Sequence, residues 1–171
     1  MSNTIEAIRA RNLNKSWYTG GDISPSLDHL TEDELLALMK SDTITGYRYN
    51  HHTADNIVND FSNKELTLWL ASKGIKPTSN VFNIPLEKGD IKQIQFIADL
   101  FPELVHSLVP RENHDVLIQS DIYKPALEWL IKNYPHILDM KAMLNRALAY
   151  NDPAVGYLND QIVQLLKGSL F

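Results

Sequence analysis

The sequence predicts an all-α fold: a short α-solenoid of stacked helix-turn-helix units behind an irregular, partly helical N-terminal region. Three observations carry this prediction. An aromatic residue followed by Leu or Ile recurs in helical settings, at Trp69-Leu70, Phe96-Ile97, Trp129-Leu130 and Tyr157-Leu158. These aromatics lie 27, 33 and 28 residues apart, spacings of the size that marks a stacked helical repeat. The chain has only 7 Gly and few alternating Val/Thr/Tyr runs, which argues against a β-rich fold. Prolines at 77, 102, 110, 125, 135 and 153 fall between helical segments or in a first turn, where a missing N–H costs little. Pro85 is the exception and is expected to shorten its helix.

The 171 residues suffice for one ordinary domain. With 44% hydrophobic residues the chain can sustain a core and disorder is disfavoured. A net charge of −5 lacks the basic footprint of a nucleic-acid binder. The absence of cysteine excludes a disulfide scaffold and a thiolate metal site, and it fits a reducing compartment. Met1 to Glu6 opens no apolar stretch of a secretory signal. No apolar run reaches the ~20 residues a membrane helix needs. The expectation is a cytoplasmic monomer, with the cytosol of a host cell as one setting.

The elements follow in order. Residues 1–52 read as a capping region with one clear helix, about 31–40. A short helix over Thr4–Arg11 precedes it, with Ile5 and Ile8 on one side. Tyr18 to Pro25 collects Gly, Asp, Ser and Pro and reads as a loop. Thr31-Glu32-Asp33-Glu34 is a capping box: Thr31 accepts from a first-turn N–H and Glu34 reaches back. Its acidic turn suits the helix dipole. Thr43–His52 is polar and aromatic and reads as a short extended segment. Residues 53–171 form the array, with helices at about 54–61, 64–73, 78–87, 90–100, 113–119, 124–133, 139–150 and 153–166. Helices this short bury only a stripe and are marginal alone. Stacking supplies the missing core. Trp69, Phe96, Trp129 and Tyr157 are expected at equivalent inter-repeat positions, buried as core.

Leu70-Ala71-Ser72-Lys73-Gly74-Ile75-Lys76-Pro77 is similar to the end of an ankyrin repeat, where a Leu-faced helix leaves through Lys-Gly and a Pro follows. Gly89-Asp90-Ile91 through Phe96-Ile97 resembles that family's glycine, polar residue and second helix. Ile84-Pro85-Leu86 resembles its Thr-Pro-Leu-His opening. There are departures. Pro85-Leu86 stands close to Gly89, so the first helix of that repeat is short. Phe101-Pro102-Glu103-Leu104 and Tyr134-Pro135-His136-Ile137 replace the Gly-Ala-Asp finger. In this the chain resembles divergent ankyrin-like repeats of viral and intracellular-bacterial proteins. The resemblance covers about residues 54–166. It implies a binding scaffold and carries over no catalytic residue.

The candidate binding residues are Tyr47, Arg48, Tyr49, His51 and His52. Tyr47-Arg48-Tyr49 has the chemistry to stack a base or hold a carboxylate. A packing contact between the N-terminal region and the array is the favoured reading. His51-His52-Thr53-Ala54-Asp55 is the densest cluster of ligand-type side chains. At a spacing of four, His51 and Asp55 would share a helix face. A catalytic zinc needs a third protein ligand, and His106 and His114 carry no motif that supplies it. The favoured reading is a helix N-terminus with solvated histidines and a Thr53 cap. Gly20-Gly21-Asp22 has no Lys-Ser/Thr after it and reads as a plain loop rather than a phosphate cradle. Glu32-Asp33-Glu34 reads as a capping turn rather than paired carboxylates. No Gly-x-Ser-x-Gly or His-Glu-x-x-His occurs.

These features predict a non-enzymatic module that binds a partner protein through repeat loops and short helices, as an effector of a pathogen or virus or as an enzyme inhibitor. No catalytic residue, metal or cofactor is assigned, and no nucleic acid or membrane is expected as partner. The acidic balance points to a neutral or basic partner surface. The alternative is a small enzyme whose site lies in residues 17–55, packed on the helical array.

Overall fold

The computed structural model describes residues 4–15, 22–23, 25–152, 154 and 158–170. The described chain is all-α apart from isolated bridges and one antiparallel pairing, β1 (Asn14–Lys15) with β2 (Asp22–Ile23), in which Asn14 faces Ile23. No helix among the described residues is long and apolar enough to cross a membrane. The chain forms two compact units, Met1–Val81 and Phe82–Phe171. Residue 53, the division expected from sequence, lies inside the first.

In the first unit, α1 (Ile5–Arg11) is capped by the Thr4 hydroxyl, which accepts from Ala7 N–H. A single 3-10 turn, Leu27–His29, is capped by Ser26. Helix α2 (Glu32–Lys40) carries the full capping box: Glu34 N–H donates to Thr31 Oγ1 and Thr31 N–H to Glu34 Oε1. Helices α3 (Thr53–Phe61) and α4 (Lys64–Ser72) form an antiparallel hairpin through Ser62 in the left-handed conformation, φ 47°, with Asn63 capping α4. The exit of α4 follows the Lys-Gly pattern. Gly74 takes φ 84° and Ile75 N–H closes on Leu70 C=O at 2.9 Å, a Schellman closure that a β-carbon would oppose. Ile8, Leu27, Leu35, Leu38, Ile57, Leu66 and Leu70 converge in this unit's core.

In the second unit, the helix expected at 78–87 is divided. A 3-10 turn over Ser79–Phe82, which begins in the first unit, runs into α5 (Asn83–Lys88). Pro85 falls in the first turn of α5, where its missing N–H has no helical partner to lose. Its carbonyl accepts from Asp90 N–H after Gly89 turns at φ 64°. Helices α6 (Ile91–Leu100), α7 (Val116–Gln119), α8 (Lys124–Asn133), α9 (Met140–Tyr150) and α10 (Asp160–Leu170) complete it. Their core is Ile118, Leu127, Met143, Ala147, Ile162, Val163 and Leu166.

Several sequence expectations shift here. Pro102–Leu108 is a 3-10 helix where none was expected. Helix α7 begins at Val116 rather than 113 because Arg111 and His114 bond each other across a turn with Asn113 at φ 69°. The helix expected at 153–166 is α10, starting at Asp160, because the Asp121 carboxylate accepts from Gln161 and Ile162 N–H and fixes the helix start there. Leu158 is 74% exposed; Pro153, Val155, Gly156 and Tyr157, and with them the fourth copy expected at Asn151–Leu158, lie outside the described residues. The repeat aromatics are not equivalent either. Trp129 is buried, while Trp69 and Phe96 are half-buried. The constant core position is the next residue, Leu70, Ile97 and Leu130, each at most 1% exposed.

Candidate functional site

The segment Tyr47–Asp55 gathers the candidate residues in the first unit. Gly46 opens it at φ 88°, and a β-carbon there would meet Arg9 Nη1 at 2.6 Å, while that guanidinium donates to Gly46 C=O. Glycine is therefore favoured by the dihedral, and a β-carbon would also displace the Arg9 guanidinium from its bond to Gly46 C=O. Arg48 then bridges the Ser26 region in parallel: Arg48 N–H donates to Pro25 C=O at 2.9 Å and Leu27 N–H to Arg48 C=O at 3.0 Å. Of the extended segment expected over Thr43–His52, only this isolated bridge at Arg48 forms, and turns flank it.

Its side chains divide. Tyr47 points into the core with Leu27, Leu38 and Leu66, so the expected packing role falls to this residue. Burial pushes its phenol pKa up, and its hydroxyl has no hydrogen-bond partner among the described residues. Arg48 is exposed and Tyr49 is 53% exposed. Neither side chain makes an ion pair or hydrogen bond among the described residues.

The next four residues form a polar clasp. Asn50 N–H donates to Thr53 Oγ1 and His52 N–H to Asn50 Oδ1, at 2.9 and 2.7 Å. Thr53, fully buried, donates onward to Asp28 Oδ2 at 3.1 Å. Thr53 is thus the first residue of α3 rather than its cap, and its hydroxyl ties the segment to the 3-10 turn. Asp55, also buried, accepts from both the N–H and the hydroxyl of Thr78 at 2.6 Å. His51 precedes the helix, so the expected His51/Asp55 face does not form. His52 Nδ1 lies 3.7 Å from Asp55, and the His51 and His52 imidazoles meet tilted at 49° with centroids 3.9 Å apart. No group of three or more ligand-type side chains is arranged to hold a metal among the described residues.

Two clefts open on this segment and share Tyr49 and Asn50. One, about 300 Å³, is lined with Ser26, Asp28, His29 and Arg48. The other, about 380 Å³, is lined with His51, Gly74, Ile75, Lys76 and Thr78. Sequence reasoning missed His29, Asn50 and Lys76, which join the surface only through tertiary folding. The Asn50-x-x-Thr53 spacing was the one local signal available, since Asn and Thr side chains commonly bond backbone a few residues away.

The other sequence candidates have structural posts or fall outside view. Glu34 accepts from Arg11 at 2.8 Å and Asn12 at 3.1 Å. Burial opposes its charge, but the Thr31 backbone, Arg11 and Asn12 outweigh that and hold its pKa below the usual carboxylate value. Gly20 and Gly21 lie outside the described residues. His106 and His114 belong to the second unit. Comparison with protein-family models, with curated proteins and with solved structures returns no match.

Proposed function

We propose that this chain is a non-enzymatic interaction module, a short ankyrin-like helical array, that binds a partner protein through the surface centred on Tyr49. The carrying observation is an exposed Tyr49 beside an exposed Arg48 on backbone pinned from both sides, between two clefts. Tyr and Arg dominate interface hot spots because they deliver large contact area. A fixed backbone lowers the ordering cost of binding. The enzyme alternative gains nothing from the histidine cluster. Asp55, its one acidic member, spends both oxygens on Thr78. In this reading the module is a cytoplasmic monomer, an effector inside a host cell or an inhibitor of an enzyme.

The test is affinity capture from the native cell extract with quantitative mass spectrometry, comparing the parent with Tyr49→Ala and Arg48→Ala. A protein retained by the parent should fall about tenfold or more with Tyr49→Ala. Undiminished retention by both variants would refute the assignment of this surface.

A further inference from the structure

The charge around Tyr49 has a local sign opposite to that of the chain. The chain's net charge is −5. Yet among the residues lining the two clefts, the permanently charged exposed groups are Arg48 on one side and Lys76 on the other. Neither has an ion-pair partner among the described residues. The single acidic liner, Asp28, accepts from Thr53, and its second oxygen is buried without a hydrogen-bond partner among the described residues, so two cations against one carboxylate leave the lining of the clefts net positive. His29 and His51 add imidazoles on either side.

We propose that the two clefts take an acidic peptide segment of the partner protein, one carboxylate meeting Arg48, another meeting Lys76, with the chain lying across Tyr49. This rests on the interaction-module reading and names its partner's chemistry. The physical case is charge complementarity. An unpaired guanidinium presents a fork that matches a carboxylate, and an unpaired ammonium supplies a second point charge. A Tyr face between them contributes contact area to an extended backbone. A nucleic acid is the less suitable polyanion. Its backbone charge density calls for many cations, and only two stand here on a chain of net negative charge. The neutral or basic partner expected from net charge reverses at this site, because contact energies follow local charges, while net charge governs long-range steering.

The test is an NMR titration of the isotope-labelled full chain with three probes: a short peptide of alternating Asp and Gly, the matching Lys-Gly peptide, and a short thymidine oligonucleotide. The expected result is saturable shifts of the amides from Arg48 to His51 and of Lys76 with the acidic peptide alone. The double variant Arg48→Glu/Lys76→Glu should bind it about tenfold more weakly. Both positions are exposed, and the variant's own amide spectrum checks its fold. No saturable shift at these amides, equal binding by the Lys peptide, or equal or tighter binding by the oligonucleotide would overturn the proposal. The capture experiment separates the two claims. A partner lost with Tyr49→Ala but kept by Arg48→Glu/Lys76→Glu retains the interaction module and removes the acidic segment alone.

Discussion

At the scale of single residues, the first unit turns on two buried carboxylates with different duties. Glu34 closes the start of α2 and receives Arg11 and Asn12. Its folded pKa is depressed, so the stabilisation is present above its unfolded value, about 4.3, and disappears as pH falls through the lower folded value. Glu34→Gln should therefore cost about 1–3 kcal/mol at neutral pH, with the gap closing on acidification. Urea unfolding of parent and variant across pH measures this; a gap of constant size would contradict it. Asp55 instead locks the start of α3 to Thr78. Thr78→Ala strips one of its bonds and should cost about 1–3 kcal/mol, while Thr78→Ser should restore most of the loss in the same assay. None of this long-range pairing was legible in the sequence. Asp55 and Thr78 stand 23 residues apart, Asp115 and Arg146 31 apart. No local pattern announces a partner at such separations. Thr31 and Glu34, three residues apart, were read at once because their bonds close within a single turn.

At the scale of elements, the legible parts were those with local stop and start chemistry. Asn63, Asp90 and Asp139 each accept from the N–H three residues on, and Gly74 and Gly89 end α4 and α5 with positive φ. The helices bounded by these residues were placed within a residue or two, except where Pro85 and the preceding 3-10 turn divided one. The start of α10 was misplaced because its cap, Asp121, lies some forty residues upstream. The aromatic rhythm locates the helices of its first three pairs and the burial of Trp129, but Trp69 and Phe96 are only half-buried. Trp69 is half-buried, with its indole N–H donating to Asp42; Leu70 beside it is the core residue. This orders a set of variants. Trp129→Ala should cost about 3–5 kcal/mol and Leu130→Ala about 2–5 kcal/mol. Trp69→Ala should cost distinctly less than Trp129→Ala, and Leu158→Ala should stay within about 0.5 kcal/mol. Chemical denaturation of the four ranks them; a Trp69→Ala cost equal to that of Trp129→Ala would show that the repeat positions are equivalent after all.

At the scale of the whole molecule, the all-α class is legible because composition and period agree: few glycines, helical spacing of apolar residues, and prolines between helices or in a first turn. Far-UV circular dichroism should accordingly be dominated by helical signal. The candidate surface was only half legible. Arg48, Tyr49 and the two histidines stood out as a polar and aromatic run, but Lys76 and His29 reach the same clefts from other elements. Tyr47, expected beside them, turns inward. The proposed meeting point of this chain with its partner is the surface centred on Tyr49. Site-specific photo-crosslinking in the native cell tests it most directly, with a photoreactive phenylalanine in place of Tyr49 and, separately, in place of Leu148, which is 46% exposed in the second unit. The expected result is a discrete protein adduct from position 49 and none from position 148. A discrete adduct from position 148 with none from position 49 would contradict it.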